Sequence, residues 1–153
     1  MALVTTATEK QVHTIAFSSQ GDDYFQSEAS SGNGVVSFPL SSKQRLDDVV
    51  ARMHGMPFGG TDCSLPMIYA LERRIAADAF IVYTDSETWA GKIHPVEALG
   101  RYREKTGIPA KLVVVGMVSN QFSIADPNDP GMLDVVGFDT ATPAVIADFL
   151  RDE

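Results

Sequence analysis

Phe58-Gly59-Gly60-Thr61-Asp62-Cys63-Ser64-Leu65-Pro66 and, further along, Ala79-Phe80-Ile81-Val82-Tyr83-Thr84-Asp85 decide how the rest of the chain is read. The first stretch is a glycine turn that delivers a hydroxyl and a carboxylate to the start of a helix. Pro66 is tolerated in that first turn because its missing N–H had no partner there anyway. The second stretch is apolar on both alternations, as expected of a strand covered on both faces, and it ends abruptly on a carboxylate. In a parallel sheet, ligands collect beyond the carboxyl ends of the strands, which puts Thr61, Asp62 and Asp85 on one rim. A threonine hydroxyl and carboxylates, with waters filling the remainder, suit Mg²⁺ or Mn²⁺. Spacing alone leaves a second reading open, in which Thr61 or Asp62 caps the helix and Asp85 sits in a turn.

Working outward, residues 2–10 read as the end of an apolar helix with no visible cap, as if the chain began inside an element. Residues 12–17 form a β-rich run closed by Gly21-Asp22-Asp23, and residues 26–34 are a polar, glycine-rich loop. Val35–Phe38 makes a short strand stopped by Pro39, suited to a sheet edge. Ser41 or Ser42 can cap a helix that carries Leu46, Val49, Val50 and Met53 on one face. After the glycine turn, Ile68, Leu71 and Ile75 supply the next helix's buried stripe. Pro95 opens a helix with Val96, Leu99 and Tyr102, ended by Gly107 and Pro109. Leu112–Val115 is a second apolar strand and Val135–Phe138 a last short one. Thr142-Pro143 caps a final helix with Val145, Ile146, Phe149 and Leu150 facing in. Strands and helices alternate from residue 42 onward. The fold class is therefore α/β, with a mostly parallel sheet and helices on both faces, in one domain over residues 1–153.

Composition narrows the function. At 44% hydrophobic the chain can bury a real core. Its 12 basic residues face 20 acidic ones, for a formal charge of −8, which argues against a bare nucleic-acid-binding surface. The single cysteine, Cys63, forms no internal disulfide and fits a reducing, cytoplasmic compartment. No run approaches the roughly 18–20 apolar residues of a membrane span, and the N-terminus lacks the pattern of a signal peptide.

Gly59 through Ile68, Phe80 through Thr88, His94 through Leu99, Ile108 through Leu112, Ile124-Ala125-Asp126-Pro127, Gly131 through Asp134 and Gly137 through Thr140 resemble the von Willebrand factor A domain of the Ro autoantigen (TROVE) RNA-binding protein family. The likeness covers nearly the whole chain and is weakest over residues 20–45. It implies a Rossmann-like sheet and a metal-ion-dependent adhesion site with Thr61 as a direct ligand and Asp85 as the loop carboxylate. It also implies a whole protein that is a ring of helical repeats binding small structured RNAs, its ends joined by the A domain.

Such domains open on a central strand ending in Asp-x-Ser-x-Ser, and no segment here has that pattern. Asp62-Cys63-Ser64-Leu65-Pro66 comes nearest, but it lacks the last serine and follows Gly-Gly-Thr. The domain is thus read as lacking its first central strand, truncated at its N-terminus, and its Mg²⁺ site as half present. In the resembling fold that strand lies between those formed here by residues 12–17 and 79–83. Unpaired backbone groups on two buried edges would cost about 1–3 kcal/mol each, against a net stability of about 5–15 kcal/mol. The gap is therefore expected to close, either by pairing of the two strands in a contracted sheet or by a segment of another chain. The open edges could also support an oligomer.

Other residues read as structural. Cys63 is a small buried hydrophobe rather than a nucleophile, His94 a cap, and His13 a strand residue. Asp126, Asp129 and Asp134 follow no calcium-loop pattern. Asp62 and Glu87 are accessory carboxylates, and Trp89 is either a partner anchor or part of the packing. No catalytic set emerges. The leading reading is a non-enzymatic A-domain module of a Ro-type ribonucleoprotein, contacting the helical-repeat ring or a complementing chain and RNA only indirectly. A stand-alone, cation-dependent protein-binding domain completed by another chain is the alternative. A hydrolase using Asp85 and Glu87 is a third.

Overall fold

The structure is a computed structural model that describes residues 2–18, 34–56, 61–84, 93–116, 124–137 and 139–152. Its elements in order are α1 (Ala2–Thr8), β1 (Ile15–Phe17), β2 (Val35–Ser37), α2 (Leu46–His54), α3 (Leu65–Glu72), β3 (Ala79–Thr84), α4 (Pro95–Thr106), β4 (Lys111–Gly116), β5 (Met132–Val136) and α5 (Thr142–Arg151). The alternation of apolar strands with helices produces the α/β class read from the sequence. β3, β4 and β5 form a parallel sheet with β4 at its centre. β1 and β2 pair antiparallel in a sheet of their own.

β4 explains why the larger sheet is sandwiched. Leu112, Val113, Val114 and Val115 are all buried, so both of its faces are covered. On one face Phe80, Val82, Leu112 and Val114 meet Met67 and Ala70 of α3 and Leu99 and Tyr102 of α4. Tyr102 is fully buried, packs edge-on against Phe80 at 5.0 Å, and donates its hydroxyl hydrogen to the Ile75 carbonyl at 2.6 Å. On the other face Val113, Val115, Ile81 and Tyr83 pack with Ile146, Phe149 and Leu150 of α5. A third, smaller cluster joins Phe38, Val49 and Met56 to Leu3, Ala16 and Val36 beneath α1 and α2.

Helix ends obey local chemistry that spacing only partly predicts. His94 does cap α4, its Nδ1 accepting from Val96 N–H at 3.2 Å, and Gly107 ends that helix in the left-handed conformation at φ 70°. Neither Ser41 nor Ser42 caps α2. The cap position is Arg45, while Ser41 closes its own turn by accepting from Lys43 N–H and donating to Gln44. Thr142 lies inside α5 rather than capping it. Asp139 Oδ1 does the capping, accepting from the Ala141 and Thr142 amides at 2.7 and 3.0 Å. β5 begins earlier than the Val135–Phe138 run suggested, because Leu112 N–H bonds the Gly131 carbonyl and sets the register there.

Two apolar stripes are less buried than their spacing implies. Of the four α2 residues only Val49 is buried, in the small cluster with Phe38 and Met56, and Leu46 is 66% exposed. In α3 the buried line is Leu65, Met67 and Ala70, with Ile68, Leu71 and Ile75 packed at its flank. Val145 of α5 also faces outward.

The expected contracted sheet does not form. Among the described residues β1 and β3 share no ladder and lie in separate sheets. The helices hold the halves in place. α3 packs on β1, β2 and β3 alike. α1 places Leu3 against the Phe38, Val49 and Met56 cluster, which Ala16 and Val36 also join, and the Thr5 hydroxyl 3.2 Å from that of Tyr83.

Candidate cation rim

Thr61 and Asp62 stand on the turn that enters α3, where the Gly-Gly-Thr-Asp sequence placed them. Thr61 is half-buried. Asp62 is only 6% exposed, and its Oδ1 accepts two bonds from Ser64, from the amide at 3.0 Å and the hydroxyl at 2.5 Å. This Asx-type turn orients the carboxylate at the helix entrance. The N-cap position itself is Ser64, with no side-chain cap hydrogen bond. Cys63, between them, is 2% exposed and packs into the main core, as its reading as a small hydrophobe expected. Asp85, Glu87 and Trp89 lie outside the described residues. Thr84, which precedes Asp85, is buried at the carboxyl end of β3.

A small divalent cation wants about six oxygen ligands. From the described residues this rim offers the Thr61 hydroxyl and the Asp62 oxygen not used by Ser64. Among the described residues no group of three or more His, Cys, Asp or Glu side chains is placed to hold a metal. That donor set does not by itself fit Mg²⁺, in keeping with the absence of an Asp-x-Ser-x-Ser segment from the sequence.

Other polar groups prove to be structural. Asp126 closes a turn on Asn128 N–H, Asp134 accepts from Ala125 N–H at 3.1 Å, and Asp129 pairs with Arg103 at 2.5 Å. Three carboxylates with three separate tasks do not make a calcium loop. The Arg103 hydrogen bond holds the Asp129 carboxyl below its ordinary value of 3.8. Burial pushes the Tyr83 phenol above its usual 10.0, an effect that the Thr5 hydrogen bond partly offsets. Neither pair was legible beforehand, since Arg103 and Asp129 are 26 positions apart and Thr5 and Tyr83 are 78. No described helix is long and apolar enough to cross a membrane.

Comparison with known proteins agrees with the geometry. A family model described as the Ro60 vWA domain matches residues 1–150. The RNA-binding protein RO60 of Deinococcus radiodurans is 40% identical over the whole chain, which spans 26% of that protein. RNA-binding protein RO60 of Caenorhabditis elegans is 38% identical over 98% of the chain, which spans 21% of it. The crystal structure of the Deinococcus radiodurans RO (RSR) protein superposes with a TM-score of 0.82 at 39% identity, covering 99% of this chain and 28% of that one. The chain thus spans about a quarter of the length of the relatives it matches. Helices on both faces of the parallel sheet, a threonine-bearing turn at the entrance to α3 and the match across residues 1–150 lead to one conclusion: this chain belongs to the family of Ro60 von Willebrand factor A domains.

Proposed function

We propose that this chain is the non-enzymatic A-domain module of a Ro-type ribonucleoprotein concerned with small noncoding RNA. It works by protein contact, through the helical-repeat ring or a complementing chain, and touches RNA only indirectly. The observation that carries this reading is the whole-chain match to proteins named as RNA-binding, borne by a chain whose own net charge is −8. A surface of that sign repels phosphate, so RNA affinity belongs to other parts of the assembly. A single buried cysteine fits a cytoplasmic setting. Thr61 and Asp85, with Asp62 and Glu87 as accessories, form a remnant adhesion rim that binds Mg²⁺ weakly, because most of its ligands come from elsewhere. The divided sheet favours completion by another segment in either version of the reading.

Two titrations test this. Fluorescence anisotropy with a labelled RNA hairpin should show no binding by the isolated chain at protein concentrations near 10⁻⁵ M, inside the usual non-specific range. Tight, salt-dependent RNA binding by the chain alone would overturn the indirect role. Calorimetry with MgCl₂ should give weak heats that Thr61→Ala and Asp85→Ala abolish. Heats unchanged in both variants would remove the rim from the account.

A further inference from the structure

The pair β1 and β2 turns one face towards α3. Ile15 lies opposite Ser37 in the ladder, so their side chains share that face, and alternation puts His13 and Phe17 on it as well. Phe17 carries the face into the core that α3 covers. Towards the start of β1 it is not filled. A cleft of about 150 Å³ lies there, with His13, Ile15, Ser37, Pro39 and Leu40 in its lining and Tyr69 of α3 against them. The chain between the two strands leaves from Ser18 and returns at Gly34, at the other end of the ladder.

This lining is rich in donors. The His13 imidazole, the Ser37 hydroxyl and the Tyr69 phenol can each give a hydrogen bond, and none of the three is bonded to a described residue. Among the described residues that line the cleft there is no carboxylate, in a chain where 20 acidic residues outnumber 12 basic ones. Cations stand at its walls instead. Arg73 holds its guanidinium 5.4 Å from the centre of the Tyr69 ring, and Arg52 donates to the Pro39 carbonyl at 3.1 Å. Neither forms an ion pair with a described residue.

The end of α3 adds a further arginine at a backbone cost. Ile75 N–H bonds the Ala70 carbonyl at 2.8 Å and Arg74 N–H that of Leu71 at 3.3 Å. A helix end closed in this way holds one residue in the left-handed conformation, normally a glycine. Here it is Arg74, at φ 55°. Glycine would close the same turn without strain, so the side chain is kept at the expense of the backbone. Glu72, the acidic residue beside the pair, is exposed and already engaged in an interaction of its own.

We propose that this cleft is a site for a phosphate group, free or carried as a monoester. His13, Ser37 and Tyr69 donate to its oxygens, and Arg73 supplies the charge, since a planar guanidinium matches phosphate oxygens and strengthens each bond it makes to them. The walls at His13, Ser37 and Pro39 are exposed, so the phosphate stays partly hydrated and binding falls in the millimolar range. This goes beyond the module proposed above. The Thr61–Asp62 rim precedes α3, whereas the cleft lies against the helix's second half. A millimolar site for one phosphate is also silent in an RNA titration at micromolar protein.

The test is an NMR titration of the full 153-residue chain with inorganic phosphate, at fixed pH and with ionic strength held constant by NaCl. The His13 ring signals should shift and saturate, while those of His54 and His94 stay in place. Tyr69→Phe, which removes only the hydroxyl, should weaken binding at least about threefold, and Arg73→Gln at least about fivefold. Adenosine 5′-monophosphate and adenosine distinguish the sources. Tighter binding of the nucleotide with adenosine silent assigns a monoester, and equal binding of nucleotide and phosphate assigns the free ion. A His13 shift that never saturates, or equal shifts at all three histidines, would overturn the proposal. So would unchanged affinity in both variants, or saturation by adenosine with phosphate silent.

Discussion

Arg103 shows how a single side chain ties the far end of the domain together. Its guanidinium reaches the Ala110 carbonyl at 2.7 Å and Asp129 at 2.5 Å, locking α4 to the loop that enters β5. Asp129 in turn accepts from Gly131 N–H at 2.8 Å. A methyl group at Gly131 would overlap the guanidinium, so Gly131→Ala should push Arg103 off its partners and lower stability by about 1–3 kcal/mol in urea unfolding. The clasp should also be pH-dependent. The folded Asp129 carboxyl titrates below 3.8, near which the unfolded chain titrates, so its contribution is complete above that range. It is lost as pH falls through the lowered folded value. The stability difference between wild type and Arg103→Met should therefore shrink between neutral pH and about pH 3. A difference that stayed constant across that range would show that Asp129 does not supply it. At this scale the sequence was partly legible: Cys63 and His94 behave as their local surroundings indicate. The Arg103–Asp129 clasp was not, because nothing local marks a partner 26 positions away.

Among the elements, α5 is held at both ends by groups from outside its helical turns. Asp139 caps its start, and the Lys111 ammonium closes its end on the Phe149 carbonyl at 2.7 Å and on that of Asp152, while lying over the Phe149 ring. Asp139→Ala should cost about 0.5–2 kcal/mol, a usual range for a lost N-cap, measured as a shift of the urea midpoint with unchanged slope. Lys111→Met keeps most of the stem's packing and removes the cap, and is expected to cost about 1 kcal/mol in the same assay. β4 was legible as such because both of its faces are covered, which writes a continuous apolar run; β3 shows the same run, but only Phe80, Val82 and Thr84 are fully buried and the alternate face, expected to be covered too, is half-buried. Cap identities were harder to read. Ser41 and Thr142 have the right chemistry, but turn geometry gave α2 no side-chain cap and gave the α5 cap to Asp139. The α2 stripe misled for a different reason, since periodicity shows which residues share a face but not whether a neighbour is wide enough to cover them.

For the whole molecule, the α/β class and the family were legible across almost the full length, and among the described residues the strands fall into two sheets. What the sequence could not decide was how the chain would respond. α3 packs on both sheets, and α1 reaches the Phe38 cluster and Tyr83. β1 and β3 remain in separate sheets. The most direct test of this account is amide hydrogen exchange along β3 in the purified chain alone. Val82, whose N–H faces β4, should be strongly protected, and Ile81, whose N–H faces the edge of β3 that no described strand pairs, should exchange far faster. Equal, strong protection of both amides in a monomer would mean that the sheet is continuous and would contradict the account.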